Sequence, residues 1–271
     1  MQLISNNQEL EDIFDISSAS FKWSNNYMLL EELKIHIKAE KLFLVQKSSD
    51  SLVILVQRGT FFRLYYQTNK LKDIQSIEVN QAVVQEIIYR GPNFYPQEEV
   101  DAWKQRGFEV HMARDNYFLN SKGLVSSDLK DSEDFSGIKP IENEVDIQKA
   151  DEMIRTYLDP YTGDILSMEK LSAFSANEDL LGIYVENELA GVVQGEFKNK
   201  LYWLGHMVVD EAYRGQRLST KLLKAYLLKG LSLNCRQFQL WVLQDNEPAL
   251  GLYKKHGFKY LNRSTISLLK K

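Results

Sequence analysis

The feature that most constrains the fold is a predicted strand that runs into a basic turn and then directly into an amphipathic helix. The strand spans Leu201–Val209, the turn contains Arg214 and Gly215, and the helix from Leu218 carries apolar residues on one face. N–H groups at a helix start lack partners inside the helix, and the helix dipole makes that end positive. The stretch is typical of a phosphate or pyrophosphate site, but taken alone it fits a surface turn with solvated arginines equally well.

A second informative stretch follows about 30 residues later. It combines a predicted strand, a polar turn and a helix that ends at Gly257-Phe258. Asn246 is a favourable N-terminal cap for this helix, and Pro248 suits its first turn. Tyr253 lies within the helix, where its phenol is a candidate proton donor to a sulfur leaving group. The alternative is that Tyr253 packs the helix onto the sheet.

Together, and in this order, the two stretches resemble the GNAT acetyltransferase superfamily. Its phosphate signature is Gln or Arg, two free positions, Gly, one free position, then Gly or Ala. Arg214 fills the first position, whereas Arg217 and Ser219 stand where the two small residues are expected. The later part of the family pattern is met in full by Asn246, Leu252, Tyr253, Gly257 and Phe258. The resemblance extends from about Ile141 to Leu269.

The resemblance implies an α/β (α+β) fold with a mixed, mostly antiparallel sheet flanked by helices. Two central strands splay apart to admit the pantetheine arm of acetyl-CoA, which is the cosubstrate. Main-chain groups of the strand would bind the arm, the turn and helix start would hold the pyrophosphate, and Tyr253 would protonate the departing thiolate. The residues implied in coenzyme binding are Met207, Val208, Val209, Arg214, Gly215, Gln216, Arg217, Leu218, Ser219, Thr220, Asn246 and Tyr253.

An internal similarity indicates a tandem duplication. Trp103–Val110 resembles Tyr253–Tyr260, 150 positions further along, and in both a predicted helix ends at Gly-Phe. A polar stretch between about Asn120 and Pro140 separates the halves. We therefore predict a degenerate GNAT-like domain over residues 1–134 and a GNAT acetyltransferase domain over residues 141–271. The first half lacks a basic Gly turn after a strand, so we expect it not to bind coenzyme A and to act as scaffold or substrate wall.

Hydrophobic spacing predicts the remaining elements. In the first half these are two helices between Gln8 and Glu40, a hairpin of strands across Arg58-Gly59, a short helix over Leu71–Val79, a strand over Ala82–Tyr89 and a helix ending at Gly107. In the second half they are helices over Asp146–Leu158, Ser167–Ser175, Leu218–Lys229 and Pro248–His256, and strands over Leu180–Glu186, Leu189–Phe197, Leu201–Val209, Gln237–Leu243 and from Phe258 onward.

The predicted reaction is direct attack of a primary amine, from an unidentified acceptor, on the thioester of acetyl-CoA. A base or a water chain must take the proton of the amine. The candidates are His206, which titrates near neutral pH, Glu196 and Glu169, although each also has an ordinary structural interpretation. The alternative function is a non-catalytic acyl-CoA-binding sensor or pseudoenzyme, which the altered turn at Arg217 and the ill-defined base favour.

Composition limits the classes of partner. The chain has 33 Lys and Arg against 37 Asp and Glu, a net charge of −4, so no global attraction draws it to nucleic acid or an anionic membrane. Its single cysteine, Cys235, is interpreted as a packing residue in a reducing compartment. We find no signal-peptide pattern, no apolar run long enough to span a bilayer and no metal-ligand spacing. We therefore expect a cytoplasmic protein without a metal.

Overall fold

The structure is a computed structural model that describes residues 1–6, 8–10, 21–124, 129 and 135–271. Contacts divide the chain into a first unit, Met1–Arg114 with Asn262–Lys271, and a second unit, Asp115–Leu261. This division differs from the predicted one over 1–134 and 141–271, because the strand after Leu261 joins the first unit. Residues 125–128 and 130–134 of the polar stretch that was predicted as the boundary lie outside the described residues, as does most of the first helix predicted after Gln8.

The described elements follow one another in two similar series. Up to residue 120 they are β1 (Gln2–Leu3), β2 (Trp23–Ser24), α1 (Leu30–Lys38), β3 (Leu42–Lys47), β4 (Ser51–Arg58), β5 (Phe61–Thr68), β6 (Ala82–Tyr89), α2 (Gln97–Lys104) and β7 (Glu109–Asn120). From residue 138 they are β8 (Ile138–Pro140), α3 (Glu144–Tyr157), α4 (Met168–Ala176), β9 (Leu180–Val185), β10 (Glu188–Lys198), β11 (Leu201–Val209), α5 (Leu218–Ser232), β12 (Gln237–Leu243), α6 (Glu247–Lys255) and β13 (Lys259–Lys270).

The first unit is a sheet in the order β1-β3-β4-β5-β6-β13, with β2 paired to β5. The pairs are antiparallel except for β5 and β6, which run parallel. The predicted hairpin is confirmed, since Arg58 pairs with Phe61 and Gly59 takes the left-handed turn conformation at φ 59°. Aromatic and aliphatic side chains from β4, β5, β6, α2 and β13 fill its main core.

The prediction of a short helix over Leu71–Val79 is wrong, because this stretch forms only a single 3₁₀ turn, over Leu71–Asp73. The guanidinium of Arg106 binds the carbonyls of Leu71 and Ile74 at 2.6 and 2.9 Å. The amide of Gln75 donates to the Gln46 side chain at 2.8 Å instead of to a helical carbonyl. Tertiary partners thus take the groups that a helix would have paired internally.

The second unit is a sheet in the order β7-β12-β11-β10-β9-β8, in which β11 and β12 are parallel and β8 to β11 are antiparallel. Helices cover it: α5 packs with β11 and β12 in one hydrophobic cluster, while α3 and α4 pack with β9, β10 and Val208 in another. The predicted mixed, mostly antiparallel sheet flanked by helices is confirmed, and the helices and strands predicted in this half are all present. Across the described ranges, the structure contains no helix with the length and apolar content needed to span a bilayer.

Candidate coenzyme-binding site

The two central strands of the second unit separate partway along their length. Only the first four residues of β11, Leu201–Leu204, pair with β12, where they lie opposite Gln237–Leu240. Beyond Leu204, β11 continues to Val209 while bonded on its other side to β10. In the described chain, no strand pairs with the β12-facing edge of β11 after this point, so its main-chain groups line an open gap.

A β-bulge marks the point of separation. Gln194 pairs with His206 and Gly195 with Leu204, so Gly205 is an extra residue in β11. A Cβ atom added to Gly205 would lie 2.0 Å from Oε1 of Gln194. A side chain at this position would therefore displace the Gln194 amide. The sequence carried a signal for this site that we did not use, since a glycine inside a strand often marks a bulge.

Free backbone donors lie just past the end of β11. Thr220 and Lys221 donate their amides to the carbonyl of Arg217, which closes the first turn of α5. Within the described part of the chain, the N–H groups of residues 215–219 find no acceptor. Gly215 and Arg217 both adopt left-handed conformations, with φ of 83° and 59°. This row of N–H groups at the positive end of a 15-residue helix favours a phosphate or pyrophosphate.

The turn is fastened to α3 through Tyr157. The Tyr157 hydroxyl accepts the amide of Glu211 at 3.0 Å, and the Arg214 guanidinium lies 5.1 Å from the Tyr157 ring centroid. Asp210 accepts the amide of Ala212 at 2.9 Å. Arg214 stays exposed while stacked on the ring, so its charge is held beside the free donors. No local motif indicated the part played by Tyr157.

The family described as "Acetyltransferase (GNAT) family" matches residues 148–258. This range contains both the separating strands and the turn before α5.

Residues 148–258 form a GNAT domain.

A curated relative matches part of this GNAT domain. It is the spermine/spermidine N(1)-acetyltransferase of Bacillus subtilis strain 168, which is 33% identical over 89 residues, 30% of this chain and 59% of that protein. The chain therefore spans about 59% of the length of the curated relatives it matches. The resemblance to the GNAT superfamily inferred from the sequence is confirmed.

Solved structures resemble a larger part of the chain in fold. A GCN5-related N-acetyltransferase from Sphaerobacter thermophilus covers 90% of this chain and 86% of its own, with a TM-score of 0.62 and 13% identity. A tandem GNAT protein from the clavulanic acid biosynthesis pathway covers 98% of this chain and 96% of its own, with a TM-score of 0.59 and 13% identity. The fold of the chain beyond the GNAT domain is thus also found in tandem GNAT proteins.

Two of the predicted coenzyme residues lie on the element that follows β12. The Asn246 side chain accepts the amide of Ala249 at 3.2 Å and so caps α6. Tyr253 is 6% exposed, and its ring lies 5.7 Å from that of Phe258. Burial raises the pKa of the Tyr253 phenol well above its usual value, which keeps it protonated at neutral pH.

His206 is buried between two neighbouring segments of the GNAT domain. Its Nε2 lies 2.9 Å from the carbonyl oxygen of Gly163, and its Nδ1 lies 3.1 Å from Oε1 of Gln194. Burial lowers the pKa of His206, and the Gly163 bond offsets this only in part. The ring is therefore neutral at pH 7 and has a single N–H, which donates either to the Gly163 carbonyl or to Oε1 of Gln194. Both ring nitrogens face protein groups, so the contact fixes the loop between α3 and α4 against β11.

The structure separates the other predicted residues into two groups. Met207, Val208 and Val209 adjoin the gap, and the turn from Arg214 to Thr220 follows them directly. The two carboxylates proposed as bases are both exposed: Glu196 pairs across the sheet with Trp203, and Glu169 lies in the first turn of α4.

Among the described residues, no three His, Cys, Asp or Glu side chains are grouped so as to hold a metal ion. Cys235 is buried in the α5 cluster, and burial raises the pKa of its thiol to about 11, in agreement with its interpretation as a packing residue.

Proposed function

We propose that the GNAT domain transfers the acetyl group of acetyl-CoA to a primary amine. The observation that carries this proposal is the gap between β11 and β12, which opens directly before the free N–H row at the start of α5. An amide-bearing pantetheine arm matches unpaired strand groups, and a diphosphate matches unpaired donors at a helix start. In this proposal Met207, Val208 and Val209 bind the arm, and residues 214–220 bind the pyrophosphate.

The reaction is an acyl transfer in which the amine nitrogen bonds to the carbonyl carbon and the carbon–sulfur bond breaks. A main-chain N–H near Val208 or Val209 stabilises the charge that develops on the carbonyl oxygen. Tyr253 gives its phenolic proton to the departing thiolate and regains one from solvent. The phenol is in its protonated form at neutral pH, as a proton donor must be, and burial, which raises its pKa, also makes it a weaker acid.

The proton of the amine needs a separate acceptor. His206 is neutral, but both of its ring nitrogens already lie within hydrogen-bonding distance of protein groups. The exposed carboxylates of Glu196 and Glu169 have no such engagement within the described residues, so they are the candidates to receive the proton directly or through water. Proximity supplies much of the rate enhancement, since amine and thioester are held together on one domain.

Polyamines are the first acceptors to test. The Bacillus subtilis relative is named for spermine and spermidine, and the chain spans 59% of its length. The alternative function, an acyl-CoA sensor without catalysis, is favoured by one observation: the turn carries Arg217 in a left-handed conformation where the family has glycine.

Two measurements decide between the functions. Isothermal titration calorimetry with acetyl-CoA should show one site, and a thiol-release assay with spermidine, spermine and a lysine peptide should show turnover with at least one amine. Binding without thiol release for any amine in a wide panel would favour the sensor. Absence of acetyl-CoA binding would overturn both functions.

A further inference from the structure

The first unit contains a strand gap like that of the GNAT domain. Its parallel strands β5 and β6 pair only from Phe61–Arg63 to Ala82–Val84. In the GNAT domain, the parallel pair β11 and β12 likewise separates after a short paired segment. Each unit therefore opens its sheet at the corresponding pair of strands.

In the first unit, this gap is filled by the chain itself. Asn25, only 5% exposed, inserts its side-chain amide between the two strands. Its Nδ2 donates to the Leu64 carbonyl of β5 at 3.1 Å and to Gln85 Oε1 of β6 at 3.2 Å. Its Oδ1 accepts the Tyr66 amide at 2.7 Å. One side chain thus bridges the edges of both strands at the point where they separate.

The residues before Asn25 follow β5 as a short antiparallel strand. Trp23 pairs with Thr68 and Ser24 with Gln67, and the Asn25 amide donates to the Tyr66 carbonyl at 3.1 Å. The Lys22 amide donates to the Asn69 side chain at 3.1 Å. The segment 22–25 therefore satisfies the main-chain groups of β5 that the separation from β6 leaves open.

We propose that the gap between β5 and β6 is a slot for an extended peptide backbone, and that residues 22–25 are its resident occupant. The comparison with a pantetheine arm, which also offers amides to a strand edge, rests on the proposed function of the GNAT domain. The contacts of residues 22–25 with β5 and β6 do not depend on that function. A peptide segment in the first unit then holds the position that the coenzyme arm holds in the second.

The surroundings of the slot suit a peptide and not a coenzyme. β5 leads into a single 3₁₀ turn over Leu71–Asp73, and a helix start with free N–H groups does not follow it among the described residues. Arg106 donates to the carbonyls of this loop, so these guanidinium N–H groups are already engaged. The slot thus lacks the donors that a diphosphate needs, and the chain is expected to bind one coenzyme A.

Hydrogen exchange on the full chain tests the slot, with adjacent asparagines as matched variants. In Asn25→Ala the Tyr66 amide loses its acceptor and should exchange faster by at least about tenfold, the factor equivalent to one net hydrogen bond. Asn26→Ala is the control, because Asn26 Oδ1 accepts the nearby amide of Met28, at 3.2 Å, and no group of β5 or β6 among the described residues. Equal Tyr66 exchange in the two variants would overturn the proposal.

A measurement on the unaltered chain keeps the proposal testable if Asn25→Ala does not fold. Without ligand, the amides of Asn25 and Tyr66 should exchange as slowly as the other amides at the centre of β5. Saturating acetyl-CoA should leave these two exchange rates unchanged and should slow the exchange of the amides of residues 215–219. Unprotected Asn25 and Tyr66 amides, protection of residues 64–67 by acetyl-CoA or a stoichiometry of two would contradict the slot. Complete absence of coenzyme binding would overturn the proposed function instead, because the Asn25 and Tyr66 protection is measured without ligand.

Discussion

Trp103 and Tyr253 occupy the same position in two copies of one helix ending. The carbonyl of Trp103 accepts the Phe108 amide at 3.2 Å, and the carbonyl of Tyr253 accepts the Phe258 amide at 3.1 Å. The Trp103 and Phe108 rings lie 5.1 Å apart, and those of Tyr253 and Phe258 lie 5.7 Å apart. The second unit therefore carries a phenol where the first carries an indole. Because an indole N–H is not an acid at neutral pH, we expect acyl transfer only in the GNAT domain.

Replacing Tyr253 by Phe tests the proton donor. The variant should release thiol about 10²-fold more slowly or worse, as expected when a general acid is removed. Its affinity for acetyl-CoA should change little, because the ring and its packing against Phe258 are retained. Steady-state kinetics and calorimetry measure the two quantities separately. Tyr95→Phe, a substitution of the same type in the first unit, is the control and should leave both unchanged; equal turnover in Tyr253→Phe would reject the role.

Arg217 is the second position to test, since it holds a left-handed conformation that glycine adopts without strain. Arg217→Gly should be more stable than Arg217→Ala by about 1 kcal/mol, because alanine keeps the steric cost and glycine removes it. Both variants lose the same charge, so the comparison isolates the backbone. Chemical denaturation gives the two free energies of unfolding. If the free energy of unfolding of Arg217→Ala equals or exceeds that of Arg217→Gly, the turn is not strained at Arg217.

Arg214 should contribute to coenzyme affinity through its charge and its stacking on Tyr157. Arg214→Ala is expected to weaken acetyl-CoA binding by about tenfold at low salt, with a smaller loss at high salt. Arg214→Lys should recover part of the loss, because it keeps the charge without the planar stacking group. Calorimetry at two salt concentrations measures both effects. Arg236→Ala is the control, because Arg236 is an exposed arginine next to β12. Equal affinities of the two alanine variants for acetyl-CoA would show that Arg214 does not contribute to coenzyme binding.

His206 should make the stability of the GNAT domain sensitive to acid. Its folded-state pKa lies below its unfolded value, so the unfolded chain binds a proton first as the pH falls. The contribution of His206 to the free energy of unfolding is fully present above about pH 6.5. As the pH falls from there to the folded-state pKa, this contribution decreases by up to about 1.4 kcal/mol per pH unit. His206→Asn should remove this component. Denaturation of both proteins at several pH values between 7.5 and 5 tests this; parallel stability curves would contradict it.

Much of the architecture is predictable from local patterns, as the second unit shows. Hydrophobic periods locate its helices and strands, and the repeated Gly-Phe stops become two matching left-handed turns, with φ of 83° at Gly107 and 84° at Gly257. The features that the sequence did not predict correctly have a common cause. The loop after Leu71 is held by Arg106, a residue that is distant in the sequence, and no local pattern encodes such a partner.

The candidate site likewise consists of parts that are set by local sequence and parts that are set by distant residues. The turn from Arg214 to Thr220 is local, and the sequence therefore predicts it as a candidate phosphate site without knowledge of distant partners. The contacts of His206 with Gly163 and Gln194 join three separate segments, so the sequence offered the histidine as a base without showing that both ring nitrogens are engaged. Asn25, which fills the gap in the first unit, gave no signal at all, because its partners lie 39 to 60 positions away.

Removal of residues 262–271 should destabilise the first unit selectively. This segment pairs with β6 from Ser264–Lys270 to Tyr89–Val83 and places Ile266 and Leu268 in the core of the first unit. Loss of two buried aliphatic side chains and a strand partner costs several kcal/mol, roughly 2–5 for each side chain if only the cavity is counted. Hydrogen exchange along β6 measures the effect. Unchanged protection of β6 in the truncated chain would contradict it.

The membership of β13 in the first unit also separates the order of synthesis from the order of folding. The ribosome completes β6 long before residues 262–271 emerge, so β6 has an uncovered edge while the residues between them are synthesised. Exposed strand edges invite pairing with other chains, which makes this interval the one in which nascent copies are most prone to aggregate.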